Sequence, residues 1–229
     1  MILVLVEHAA GRPERVSLEA LALAARLGDL LGITVEGLLV GADGASAATY
    51  LAGTGLARLH LVDDERLVPY APAAWAAALL EVARGSGAAA IVAGGSDRGN
   101  EVLAHVGARS GQPMAANCTA VELVDGRLRI VRQRWAGSLL EDAWLDGTPL
   151  LLTVAPHVLG PVEADPGALA PAVVPARPPL DERDLLVRVV ERVESGGGGV
   201  SLADARVVVG GGRGVGSADG FALLEELAG

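Results

Sequence analysis

Short apolar runs alternate with stretches of helical period from the first residue to Gly94. Ile2–Val6, Ile33–Val40, Leu59–Val62 and Ala89–Ala93 are nearly all apolar, as strands buried on both faces require. Between them, Ser17–Leu31 repeats Leu18, Leu21, Ala25 and Leu31 on one helical face, Ser46–Ala52 is a shorter helical run, and Pro72–Arg84 is Ala-rich. Ser17 stands where it can N-cap the first helix. Strands alternating with helices predict a parallel sheet. After Gly94 the stretch GGSDRGNEVLAHVGARSG reads as a glycine turn feeding a helix, with Val102, Val106 and the small Ala104 and Ala108 available for packing.

The pattern then changes. NCTAVELVDGRLRIVRQRWAGSLLEDAWLDGTPLLLTV carries three short β-like runs split by Asp125-Gly126, Ala136-Gly137 and Asp146-Gly147, which read as hairpin turns adding antiparallel strands to the parallel core. From Ala155 to Pro179 the chain holds seven of its 12 prolines and no helical or alternating period, so an extended connector is expected. Leu185–Val193 then reads as a strand and Ser195–Gly199 as a glycine hinge. The division expected is residues 1–155 as an α/β domain, 156–199 as a linker carrying the strand over 185–193, and 200–229 as the start of a second domain. There Val207–Val209 reads as a strand, Gly210, Gly211, Gly212 and Gly214 as a turn, and Ser217 as the cap of a helix over Ala218–Ala228 that turns Phe221, Leu224 and Leu227 inward.

Composition narrows the chemistry. Hydrophobic residues make up 51% of the chain and aromatic residues only 3%, so the core is built from Ala, Val and Leu. Net charge is −10 and lysine is absent, which argues against a nucleic-acid surface and removes any Walker-type loop or Schiff-base lysine. Cationic work falls to arginine. One cysteine, an opening that turns polar at Glu7, and no apolar run near the roughly 18 residues of a spanning helix point to a cytoplasmic protein without membrane insertion.

Few residues carry a chemical signal. The closing glycine run could present open amides to a phosphate, and Arg213 within it could grip an anion or a ring edge; the plain alternative is a surface arginine on a tight turn. The G-x-G-x-x-G spacing fails in every register, its last position falling on Val215, Ser217 or Asp219. His8, His60, His105 and His157 are scattered without metal-site spacing, and Cys118 reads as a small core residue. Glu141 and Asp142 read as a solvated turn. Trp75, Trp135 and Trp144 read as core or interface anchors.

Several segments together resemble the alpha subunit of electron-transfer flavoprotein and its nitrogen-fixation-associated relatives: ILVLVEH, AGTGLARLHLVDD, IVAGGSDRGNEVLAHVGARSG, RQRWAGSLLEDAWLDGTPLLLTVAP and VSLADARVVVGGGRGVGSADGFALLEELAG. That resemblance implies a mostly parallel Rossmann-like sheet of the adenine nucleotide alpha hydrolase-like kind with added antiparallel strands, plus a fragment of a second α/β domain that holds FAD. It also implies an electron carrier rather than an enzyme, paired with a beta subunit and passing electrons from flavin dehydrogenases to a membrane quinone reductase. By its GGRG motif, Gly211, Gly212, Arg213 and Gly214 look like the flavin-approaching residues, and the FAD site is expected to be incomplete, since the chain stops after one strand-turn-helix. Two other functions are compatible with these residues: a flavin-free assembly module, and a stand-alone nucleotide-binding domain using the Gly94–Gly99 turn.

Overall fold

The computed structural model describes residues 1–41, 43–165, 167–191, 205 and 207–228. They fall into two units, Met1–Val190 and Glu191–Gly229. The first is built on one nine-stranded sheet of order β11-β5-β4-β1-β6-β10-β7-β8-β9. Its strands are β1 (Ile2–Leu5), β4 (Val35–Val40), β5 (Arg58–Val62), β6 (Ala90–Gly94), β7 (Met114–Val124), β8 (Arg127–Arg134), β9 (Leu139–Leu145), β10 (Leu150–Val154) and β11 (Ala172–Pro175); β2 (His8–Ala9) and β3 (Arg12–Pro13) form a separate two-stranded ribbon. Pairing is parallel from β11 across to β7, and antiparallel between β7, β8 and β9.

Both faces of the parallel part are covered, which is why its strands read as continuous apolar runs. On one face α1 (Arg15–Leu31) and the short α2 (Gly44–Ala48) enclose Ile2, Val4, Leu23, Leu27, Leu39 and Leu59. On the other, α3 (Pro72–Gly85) and α4 (Asp97–Ser110) enclose Leu3, Leu5, Leu38, Leu79, Val102 and Val106. Fully burying a leucine contributes about 1.5–3 kcal/mol, and alanines at Ala74, Ala76, Ala78 and Ala83 let α3 lie close to its neighbours.

Ser17 does not cap α1. The helix begins two residues earlier, Glu14 stands at the N-cap without a side-chain bond, and Ser17 is fully buried inside the first turn. Its hydroxyl accepts from the Glu7 amide at 2.8 Å and donates to the Glu7 carbonyl at 3.3 Å, tying the end of β1 to α1. Ser17→Ala leaves that buried amide unpaired and is expected to cost about 1–3 kcal/mol in urea unfolding, whereas loss of an ordinary exposed cap residue costs near the lower end of that span.

The turns at Asp125-Gly126 and Ala136-Gly137 join β7 to β8 and β8 to β9 as hairpins. Asp146-Gly147 does not, because the chain returns from the edge strand β9 to insert β10 between β6 and β7, parallel to both. Tertiary pairing chose that position over the local turn signal. In the antiparallel extension, Val121, Ile130, Ala143, Leu128 and Leu145 face the α1 side of the core. On the other face Arg129 pairs with Glu122 and Asp142, and the guanidinium of Arg127 lies 4.9 Å from the Trp144 ring centre. Of the three tryptophans only Trp75 is a core residue; Trp135 is 78% exposed and Trp144 47%.

The Pro-rich segment adds β11 to the sheet edge, parallel to β5, although all four of its residues are exposed. The following residues strap the α3/α4 face: Ala176, Leu180 and Leu185 pack on its core, Asp184 pairs with Arg109, and the Val189 amide donates to the Tyr70 carbonyl at 2.8 Å. The strand expected over 185–193 is replaced by a 3-10 turn at Glu182–Leu185, with no strand as far as Glu191; positions 192 and 193 lie outside the described residues. A β-prone run does not become a strand without an edge to pair with.

In the second unit, Val207–Val209 forms no strand. A 3-10 turn at Arg213–Val215 and another at Ala218–Phe221 lead into α5 (Ala222–Ala228). Ser217 holds the cap position without a side-chain bond, and of the three residues expected to turn inward Phe221 and Leu227 are exposed and only Leu224 is half-buried. The glycine hinge at 195–199 lies outside the described residues.

Candidate functional site

β1 is central, with β4 on one side and β6 on the other, so the strand order reverses between β1 and β6. Ligands of open α/β sheets bind at such a reversal, beside the carboxyl ends of the strands. Here that position is occupied by the chain's own side chains. Glu7 follows β1 and is 5% exposed, and Ser96, the N-cap of α4, donates its hydroxyl to Glu7 Oε1 at 2.6 Å while accepting from the Gly99 amide at 2.8 Å. Gly94 and Gly99 are close-approach positions: a Cβ on Gly94 would stand 2.7 Å from a Val16 methyl, and one on Gly99 would overlap the Gly94 carbonyl and reach 3.1 Å from Glu7 Oε1.

Burial pushes the Glu7 carboxyl above the ordinary glutamate range, and the Ser96 hydrogen bond and the Arg98 guanidinium only partly offset this. The folded chain therefore holds this proton more tightly than the unfolded one. That contribution to stability is complete below the ordinary glutamate pKa and is lost as pH rises through the raised value. Glu7→Gln should remove it: measured by urea unfolding between about pH 5 and about pH 8, the variant's stability relative to wild type should increase with pH.

A second polar set, joining α4, the bulge of β7 and the end of β10, is closed on itself. The Asn117 amide donates to Thr153 Oγ1 at 2.8 Å, Thr153 Oγ1 donates to Asn100 Oδ1 at 2.7 Å, and Asn100 Nδ2 donates to Asn117 Oδ1 at 3.3 Å. Asn117 has φ +57° where the register of β7 shifts, a bulge conformation that asparagine tolerates. It borders a cleft of about 350 Å³ lined also by Gly95, Arg134, Trp135 and Pro156.

The residues singled out in the closing glycine run are together on the second unit and exposed. Arg213 opens the 3-10 turn in which the Val215 amide donates to the Gly212 carbonyl at 3.0 Å. Among the described residues Arg213 has no ion-pair partner. Added Cβ atoms at Gly212 and Gly214 would meet nothing within 4 Å, leaving backbone open to a ligand; at Gly211 they would strike Leu224 and Phe221, so this glycine lets the turn pack on the following helix. These features suit one wall of a flavin site: a cation beside accessible backbone.

Other candidates are structural. Cys118 is buried and burial pushes its thiol up to about 12, far from a reactive thiolate. His60 Nε2 lies 2.7 Å from Glu36 Oε2 in a buried pair, and His8 bonds the Val40 carbonyl. Among the described residues no His, Cys, Asp or Glu cluster could hold a metal, and no helix is long and apolar enough to cross a membrane. Glu141 and Asp142 lie in strand β9 and not on a turn, because pairing with β8 extends through them: Glu141 pairs with Arg132 and Arg134, and Asp142 with Arg129. Sequence reasoning passed over Glu7, Ser96, Asn100, Asn117 and Thr153; the available signal was a polar residue directly after an apolar strand, as in ILVLVE and IVAGGS.

The sequence profile of the electron transfer flavoprotein domain matches residues 2–180. Electron transfer flavoprotein subunit alpha of Megasphaera elsdenii is 31% identical over 99% of this chain and 68% of its own length. Protein FixB of Clostridium saccharobutylicum is 30% identical over 98% of this chain and 67% of its own, and the alpha subunit of Mycobacterium leprae 30% over 99% and 68%. The chain thus spans about two thirds of these relatives. A doubly covered parallel sheet with an antiparallel extension, matched by the family profile as far as residue 180 and by alpha subunits along nearly the whole chain, makes this chain an alpha-type member of the electron transfer flavoprotein family.

Proposed function

We propose that the chain works as the alpha-type subunit of an electron transfer flavoprotein, a carrier that takes electrons from flavin dehydrogenases and hands them to an acceptor. It does so as a heterodimer with a beta subunit, in the cytoplasm. The observation that carries this reading is likeness to alpha subunits along almost the whole chain, including the glycine run around Arg213. FAD, when bound, supplies the reversible uptake and release of electrons. Gly211, Gly212, Arg213 and Gly214 are the residues of this chain assigned to it: Gly212 and Gly214 admit the cofactor to the backbone, Gly211 sets the turn against Leu224, and the Arg213 guanidinium donates hydrogen bonds to an anionic or carbonyl edge.

Co-expression with a beta subunit and purification of the pair tests this. Flavin absorbance that copurifies with the pair is expected, and Arg213→Ala should weaken FAD binding roughly tenfold to a hundredfold, the loss of one charge-assisted contact of about 1.5–3 kcal/mol. Absence of flavin from the wild-type pair, even after incubation with FAD, would remove the redox reading.

A further inference from the structure

We propose that the carboxyl group of Glu7 is a built-in occupant of the β1/β6 crevice, standing at the α4 N terminus where an anionic ligand would enter a sheet of this topology, and that it sets the first unit's specificity against nucleotides. Three observations converge. The strand order reverses between β1 and β6, which is the binding position of open α/β sheets. A helix N terminus there, that of α4, would favour an anion, yet the capping hydroxyl of Ser96 is already committed, accepting from Gly99 and donating to Glu7. The crevice is closed from its other side by Val16 on Gly94 and by Ser17, which holds both backbone polar groups of Glu7.

Glu7 is therefore clamped at three atoms and 5% exposed. A nucleotide phosphate entering beside Gly99 would have to expel a side chain whose backbone cannot move without breaking the β1–α1 tie. The Gly94–Gly99 turn, which has the outward form of a phosphate cradle, is filled by the chain itself. Occupancy by shape suffices, since the carboxyl group fills the space in either protonation state. This inference concerns the first unit alone and does not depend on flavin in the second.

The full chain, Glu7→Ala and Glu7→Gln serve as the test. Glu7→Ala vacates the crevice, and formate or acetate should raise its melting temperature by roughly 3 °C or more over an equal concentration of chloride. Wild type and Glu7→Gln, whose crevices remain filled, should show no such difference. Calorimetric titration of wild type with AMP and with inorganic phosphate should give no saturable heat. Equal response of all three proteins to formate would overturn the proposal, as would saturable AMP binding by wild type. Should Glu7→Ala not fold, Glu7→Ser replaces it in the formate comparison, and the wild-type AMP titration still decides by itself.

Discussion

Gly99→Ala is expected to lower the stability of the first unit by about 3 kcal/mol or more, a fall of roughly 6–12 °C in its melting temperature. The methyl group would overlap the Gly94 carbonyl, which is backbone and cannot rotate away, and would crowd Glu7 Oε1 at 3.1 Å. Relief requires α4 to tilt from the end of β6, which breaks the Ser96 cap and the Ser96–Glu7 hydrogen bond together. Gly85→Ala is the control: that glycine ends α3 with open space around it, so alanine should be neutral or stabilise by up to about 1 kcal/mol. Thermal melts of the two variants side by side check this. A Gly99→Ala protein as stable as wild type would mean that β6 and α4 are not in the register described.

Truncating one leucine on each face of the sheet should be nearly additive. Leu27 on α1 and Leu79 on α3 are fully buried, in two apolar clusters on opposite sides of the parallel strands. Each Leu→Ala change is expected to cost about 2–5 kcal/mol, made of lost transfer free energy and a residual cavity. Since the clusters share no side chain, the double variant should equal the sum within about 0.5 kcal/mol, and at the upper end it would no longer fold. Urea titration of the singles and the double measures this. A strong departure from additivity would show that strain passes through the sheet from one helical layer to the other.

The parallel core was legible because two-sided burial writes itself into composition: ILVLV and AIVAG leave no polar residue to face water, and the one polar side chain of LHLV, His60, is paired with Glu36 in the interior. Helix α3 was legible through its Ala-rich run with Pro72 at its start, and α4 through the glycine turn before it and the spacing of Val102 and Val106. The glycine run around Arg213 was legible as a motif, though its geometry was not, since VVV at 207–209 carries strand propensity whatever it pairs with. The same reason explains Leu185–Val190 and the overlooked β11: pairing with β5 makes a strand of AVVP, whereas LLVRVV lies over the α3/α4 face and forms no ladder with a strand.

By itself the amino-acid order determined the α/β class, the helical and strand periods, the lack of any lysine-based chemistry and the family resemblance. Only the tertiary structure decided that β10 inserts beside β6, that Ser17 ties a strand rather than capping a helix, and that Glu7 fills the crevice. The physical reason is that period and propensity are properties of neighbours along the chain, whereas pairing partners and the occupant of a cavity depend on residues such as Glu7, Ser17 and Ser96, which meet only after the sheet has closed between them.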